Sequence, residues 1–132
     1  MIERLVPVLR PLYYGKEFEI WAIVRPDGSS YVKNFLTNLD DEREAAKMRK
    51  LIRYFGDQGS IYNIKSSRSI QGENELFELK AGRLRIMFFY DPLQRRRVIL
   101  THGFLKNTGP PIENDIQRAK RLRQSYIDAM GD

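Results

Sequence analysis

The 132-residue chain predicts a small α+β domain with an antiparallel sheet of about four strands, a helical hairpin and a C-terminal helix. Three observations carry this expectation. One strand-like stretch precedes two segments of helical spacing, three strand-like stretches joined by tight turns come next, and the C-terminal stretch holds an apolar stripe repeating every three or four positions. The helices are expected on one side of the sheet. Residues 1–132 read as one domain, with residues 1–15 as an extension.

Residues 17–25 (Glu-Phe-Glu-Ile-Trp-Ala-Ile-Val-Arg) begin with polar and apolar residues in alternation, and Pro26-Asp27-Gly28 closes them as a turn. Ser29 or Ser30 then supplies an N-cap for a short helix with Val32, Phe35, Leu36 and Leu39 on one stripe. A second helix starts at Asp40-Asp41, where Glu44 stands in a capping-box relation to Asp41. Its apolar face is Ala45, Met48, Ile52 and Phe55, and Gly56 and Gly59 end it. Residues 59–74, rich in serine and glycine and without periodicity, read as a loop or an irregular crossing segment. Strands follow at 76–80, 83–90 and 96–101, joined by Ala81-Gly82 and by Asp91-Pro92-Leu93-Gln94. Pro110-Pro111 opens a last helix whose stripe is Ile112, Ile116, Ala119, Leu122, Tyr126 and Met130.

The chain has no run of about 18 apolar residues and no signal-peptide layout, so a cytoplasmic protein without a membrane partner is expected. With no cysteine and one histidine, a disulfide framework and a thiolate metal site are excluded, and neither a metal nor another cofactor is expected. The net charge of +6 is unevenly spread. Residues 1–75 hold 12 basic and 11 acidic side chains, whereas residues 76–132 hold 11 and 6. Such a localised excess suits a polyanion, most commonly nucleic-acid phosphate.

The alternation in residues 83–90 sends Arg83, Arg85, Met87 and Phe89 to one face. An Ala81-Gly82 hairpin would set Lys80 opposite Arg83 and Glu78 opposite Arg85, a net-positive cluster on one sheet surface. Glu78 with Arg85 reads either as a plain cross-strand ion pair or as a carboxylate orienting an arginine while Lys80 and Arg83 hold phosphate oxygens. His102 is a candidate for proton transfer, though a lone histidine is more often structural. Phe104 suits base stacking or the core, and Lys106 adds to the same field. Arg95-Arg96-Arg97 is a solvated hairpin end or an RNA contact. No nucleophilic triad, carboxylate dyad or Gly-rich phosphate loop is present. An enzyme working through positioned cations suits RNA strand cleavage, in which the substrate's own 2′-hydroxyl is the nucleophile.

The ordered segments Leu76-Phe77-Glu78-Leu79-Lys80, Arg85-Ile86-Met87-Phe88-Phe89 and Ile99-Leu100-Thr101-His102-Gly103-Phe104-Leu105-Lys106 resemble the phage-derived, HigB-like branch of the RelE/ParE toxin superfamily. That branch has an "ELR" strand, a strand with a central arginine, an "hGF-KK" segment and a following helix with "A-R". Upstream, Val32-Lys33-Asn34-Phe35-Leu36 is similar to the branch's "FL-L" helix. The resemblance implies the toxin of a type II toxin-antitoxin system, a hydrolase that cleaves messenger RNA on the ribosome without a metal and is neutralised by a cognate helix-turn-helix antitoxin. It implies catalytic roles for Arg85, Lys80 and Lys106, to which the residue reading adds Arg83 and His102. RNA contacts are expected at Phe104, Arg97, Lys65, Arg68 and Arg121. Lys80 replaces the more usual arginine and Asn107 the second lysine, so the basic site is thinner than the branch's pattern. The alternatives are a ParE-like inhibitor of DNA gyrase and a prophage accessory protein without toxicity.

Overall fold

A computed structural model describes residues 8–59, 67–70, 73–106 and 113–131. The elements are β1 (Val8–Tyr14), β2 (Glu19–Val24), α1 (Tyr31–Thr37), α2 (Glu42–Gln58), β3 (Ser67–Ile70), β4 (Glu73–Ala81), β5 (Leu84–Tyr90), β6 (Arg97–Leu105) and α3 (Glu113–Met130). The strands form one six-stranded sheet in the order β1-β2-β6-β5-β4-β3. The α+β class is as expected, but the sheet has six strands rather than about four, and it is mixed because β2 and β6 run parallel.

The two additional strands lie at the edges. β1 falls in the stretch expected to be an extension, where Pro11 argues against a strand interior. An edge strand tolerates proline, and the β1–β2 register shifts between Pro11 and Tyr13. β3 lies in the stretch expected to be a loop, and its four residues pair with β4.

The helices do not share one side. α1 and α2 cover one face through Val32, Leu36, Ala45, Met48, Ile52 and Phe55, packed on Ile20, Leu79, Ile86, Phe88 and Leu100. α3 covers the other, with Ala119 and Tyr126 against Ile23, Met87, Phe89 and Ile99. A sheet buried on both faces explains why β5 is buried throughout except at Tyr90. Met130, expected on the stripe of α3, is 54% exposed, and Ile112 lies outside the described residues.

Local signals account for the helix ends. Ser30 caps α1 by accepting from the Lys33 N–H at 3.2 Å. Asp41 caps α2 by accepting from the Arg43 N–H at 2.9 Å. α2 runs through Gly56 and ends at Gly59. Gly56 remains helical and has a separate use: its carbonyl accepts the Glu17 and Phe18 N–H groups at 2.9 Å each, tying the β1–β2 connection to α2. Among the described residues no helix is long and apolar enough to cross a membrane.

Candidate nucleic-acid interface

Alternation along β5 turns Arg85, Met87 and Phe89 toward α3, and the register then aligns the functional candidates. Lys80 of β4 stands opposite Arg85, and Arg85 stands opposite Phe104 of β6. With adjacent strands about 4.8 Å apart, Lys80, Arg85 and Phe104 form one row across three strands on the α3 face. The adjoining row holds Glu78 opposite Met87.

This register differs from the expected one. The turn is Gly82-Arg83 rather than Ala81-Gly82, because Gly82 takes the positive φ of 59° suited to a tight hairpin turn. Moving the pairing by two keeps Glu78, Lys80 and Arg85 on their common face, but Arg83 leaves the cluster. Its guanidinium forks onto Glu44 of α2, with Nε donating to Oε2 and Nη2 to Oε1, both at 2.8 Å. That hydrogen bond holds the Glu44 carboxyl below its ordinary range. It also engages the side chain expected to complete the capping box of α2.

Arg85 is buried, only 7% exposed, and its Nη1 donates to the carbonyls of Gly82 at 2.6 Å and Leu84 at 2.9 Å. Its Nε lies 3.9 Å from Oε1 of the fully buried Glu78. Arg85 therefore ties the β4–β5 turn and balances a buried carboxylate. Solvent is reached instead by half-buried Lys80 and by exposed Lys106, one residue past β6, whose N–H donates to the Arg83 carbonyl at 2.8 Å. Phe104 is half-buried at the rim of the α3-side core. It satisfies the core reading and still presents part of its ring beside the two lysines.

β6 carries a bulge at this point. Ile86 pairs with Gly103 and Phe88 with Leu100, so Thr101 and His102 together oppose Met87. The Thr101 hydroxyl donates to the Met87 carbonyl at 3.1 Å and lies 3.1 Å from His102 Nδ1. His102 Nε2 lies 3.1 Å from Asp115 Oδ1 of α3. The imidazole is 2% exposed, and the tautomer carrying its proton on Nε2 donates to Asp115 and so braces β6 to α3. Asp115, thirteen residues further along the chain, had no signal in the sequence pattern.

Burial pushes the His102 pKa below its ordinary 6.5, outweighing the hydrogen bond and charge of Asp115, and Arg118 pushes the same way. Below about pH 6.5 the unfolded chain binds the proton more tightly than the fold does, so the stability contributed by His102 is lost as pH falls toward its depressed folded value. An NMR titration should place the His102 transition below 6.5, and His102→Gln should flatten the stability-versus-pH curve on the acid side.

The other expected contacts are dispersed. Arg97 opens β6 about 16 Å along the strand from His102. Its guanidinium lies 4.3 Å from the centre of the Trp21 ring, between Glu19 at 3.8 Å and Asp91 at 3.9 Å. Arg96 donates to the Lys16 and Glu17 carbonyls, so this run is not simply a solvated hairpin end. Arg121 is exposed on α3. Arg68 lies in β3 opposite Glu78, and Lys65 lies outside the described residues. Beyond the row, Tyr126 donates to buried Asp91 at 2.6 Å. Burial and that hydrogen bond push its hydroxyl up to about 12.

The model of the family described as "Phage derived protein Gp49-like (DUF891)" matches residues 34–124. The match runs from α1 into α3 and contains the whole Lys80–Arg85–Phe104 row. No curated protein matches the chain. A match over more than half the sequence, in the segments that build this face, establishes the family: the chain belongs to the phage-derived Gp49-like proteins.

Proposed function

We propose that the protein is the RelE/HigB-like toxin of a type II toxin-antitoxin system, a ribosome-associated messenger RNA endonuclease. The observation that carries the reading is the single row of Lys80, Arg85 and Phe104, with Lys106 beside it. A base stacks on the exposed part of Phe104, while Lys80 and Lys106 hold the oxygens of the scissile phosphate. The substrate's 2′-hydroxyl gives its proton to solvent and attacks that phosphorus as the bond to the 5′-oxygen breaks, and the departing 5′-oxygen takes a proton from solvent. The products are a 2′,3′-cyclic phosphate and a free 5′-hydroxyl, and no metal is required to supply a nucleophile. The lysines favour the phosphorane, which carries more charge than the ground state; one such donor lowers the barrier by roughly 3 kcal/mol. Arg85 is a positioning residue that fixes the turn and the strand carrying the row. His102, held by Asp115, positions β6 against α3.

The reading places the toxin in the cytoplasm with a helix-turn-helix antitoxin as partner. To test it, purified protein is incubated with ribosomes translating a defined messenger RNA, and the new ends are mapped by primer extension. Internal cuts blocked by a single 2′-deoxy substitution at the cut site are expected. Intact messenger RNA together with unimpaired growth on expression would eliminate the toxin reading. The commitment of Arg83 to Glu44 and of Arg85 to backbone carbonyls favours one second reading, a binding module acting on DNA gyrase. Growth arrest with a DNA-damage response and intact messenger RNA would select it.

A further inference from the structure

On the α3 face, beside His102, two guanidiniums converge on one aromatic ring. Tyr31 opens α1, and Val24, at the end of β2, bridges to Ser30, which brings Arg25 next to Tyr31 in space. Arg118 reaches the same ring from α3. The guanidinium carbons of Arg25 and Arg118 stand 4.8 Å and 5.0 Å from the ring centre. The two cations are thus within about 10 Å of each other, one Debye length at moderate salt.

Among the described residues neither guanidinium is within ion-pair distance of a carboxylate. The nearby acids have other partners: Asp27 accepts from the Ser29 hydroxyl at 2.6 Å, and Asp115 faces His102. Two like charges share one ring, and although the Asp27 carboxylate is close enough to feel Arg25, no carboxylate among the described residues is paired with either guanidinium, which leaves both forks available to an anion. Arg25 is exposed and Arg118 half-buried. The stack adjoins the candidate site, since the Arg118 charge is felt at His102 and the His102 and Phe104 ring centres are 5.9 Å apart.

We propose that Arg25 and Arg118, held in place by Tyr31, clamp a backbone phosphate of the RNA strand that occupies the Lys80–Arg85–Phe104 row. The planar fork of each guanidinium matches two phosphate oxygens and stays charged at any working pH. Stacking on Tyr31 restricts both long side chains before the strand arrives, reducing the ordering cost of binding. The clamp rests on the RNA reading and extends it from the scissile position to the path of the neighbouring nucleotides.

The test measures binding of a short single-stranded RNA, fully 2′-O-methylated so that it resists cleavage, by fluorescence anisotropy across a salt series. Arg25→Gln and Arg118→Gln should each weaken binding roughly threefold to tenfold and lower the log–log salt slope by about 1. Lys50→Gln, exposed on α2 across the sheet, should change neither. Thermal midpoints within a few degrees of wild type establish that the variants are folded. Wild-type binding with unchanged affinity and slope in both arginine variants would overturn the clamp and leave the RNA reading standing. Failure of wild type to bind the RNA would overturn the clamp, while the RNA reading itself stands or falls on the ribosome cleavage assay. Inorganic phosphate is the second ligand. If it stabilises wild type but not Arg118→Gln while RNA affinity is unaffected by the substitution, the stack is a small-anion site and the strand assignment is wrong.

Discussion

Arg85→Ala should destabilise the fold by roughly 3 kcal/mol, read as a lower urea midpoint with an unchanged slope. Two costs combine. The Gly82 and Leu84 carbonyls lose the guanidinium that bridges them, loosening the β4–β5 turn. The Glu78 carboxylate, fully buried, loses a cation 3.9 Å away. Because loss of activity in this variant would follow from unfolding alone, the informative companion is Glu78→Leu with Arg85→Met. Replacing a buried pair with apolar side chains of similar size is often neutral. The double variant should therefore recover much of the stability lost in Arg85→Ala. If it is folded and cleaves RNA, Arg85 acts through position alone; if it is folded and inert, its charge takes part in the reaction.

Gly15→Ala should cost about 2 kcal/mol or more, for a different reason. A Cβ at position 15 would overlap the carbonyl carbon and oxygen of Gly56. These are backbone atoms in the last turn of α2 and have no rotamer by which to move aside. The same oxygen accepts the N–H groups of Glu17 and Phe18, so relief of the overlap loosens two hydrogen bonds and lifts the β1–β2 connection from the helix. Thermal denaturation should show a clear drop in midpoint. An unchanged midpoint would mean that this connection is not docked on α2 as described.

What was legible in the sequence was mostly local. The Ser30 and Asp41 caps, the apolar stripe of α2, and the alternation that sets Arg85, Met87 and Phe89 on one face depend on neighbours within a few residues. That alternation was enough to foresee Lys80, Glu78 and Arg85 together, since a register change of two leaves faces intact. The features that differ from the sequence pattern depend on partners far along the chain. Arg83 was expected beside Lys80, but its carboxylate is Glu44, 39 residues earlier. The edge strands β1 and β3 were obscured, one by Pro11 and the other by a polar, serine-rich composition. The side of the sheet that α3 covers is set by long-range packing, which no periodicity records. His102 illustrates the same limit. Its place on the last strand was evident, but the strand was expected to end there, whereas β6 continues to Leu105, and the bulge that turns His102 toward Asp115 follows from the β5–β6 pairing.

RNA cleavage at the Lys80–Arg85–Phe104 row, with Lys106, is tested by transcriptome-wide mapping of RNA 5′ ends after expression from a tight promoter. Wild type is compared with the Lys80→Ala/Lys106→Ala double variant and with Arg83→Ala. New 5′-hydroxyl ends inside coding sequences for wild type and Arg83→Ala, and their loss in a folded double lysine variant, are the expected result. Transcripts equally intact in all three, or cut equally by the double lysine variant, would contradict it.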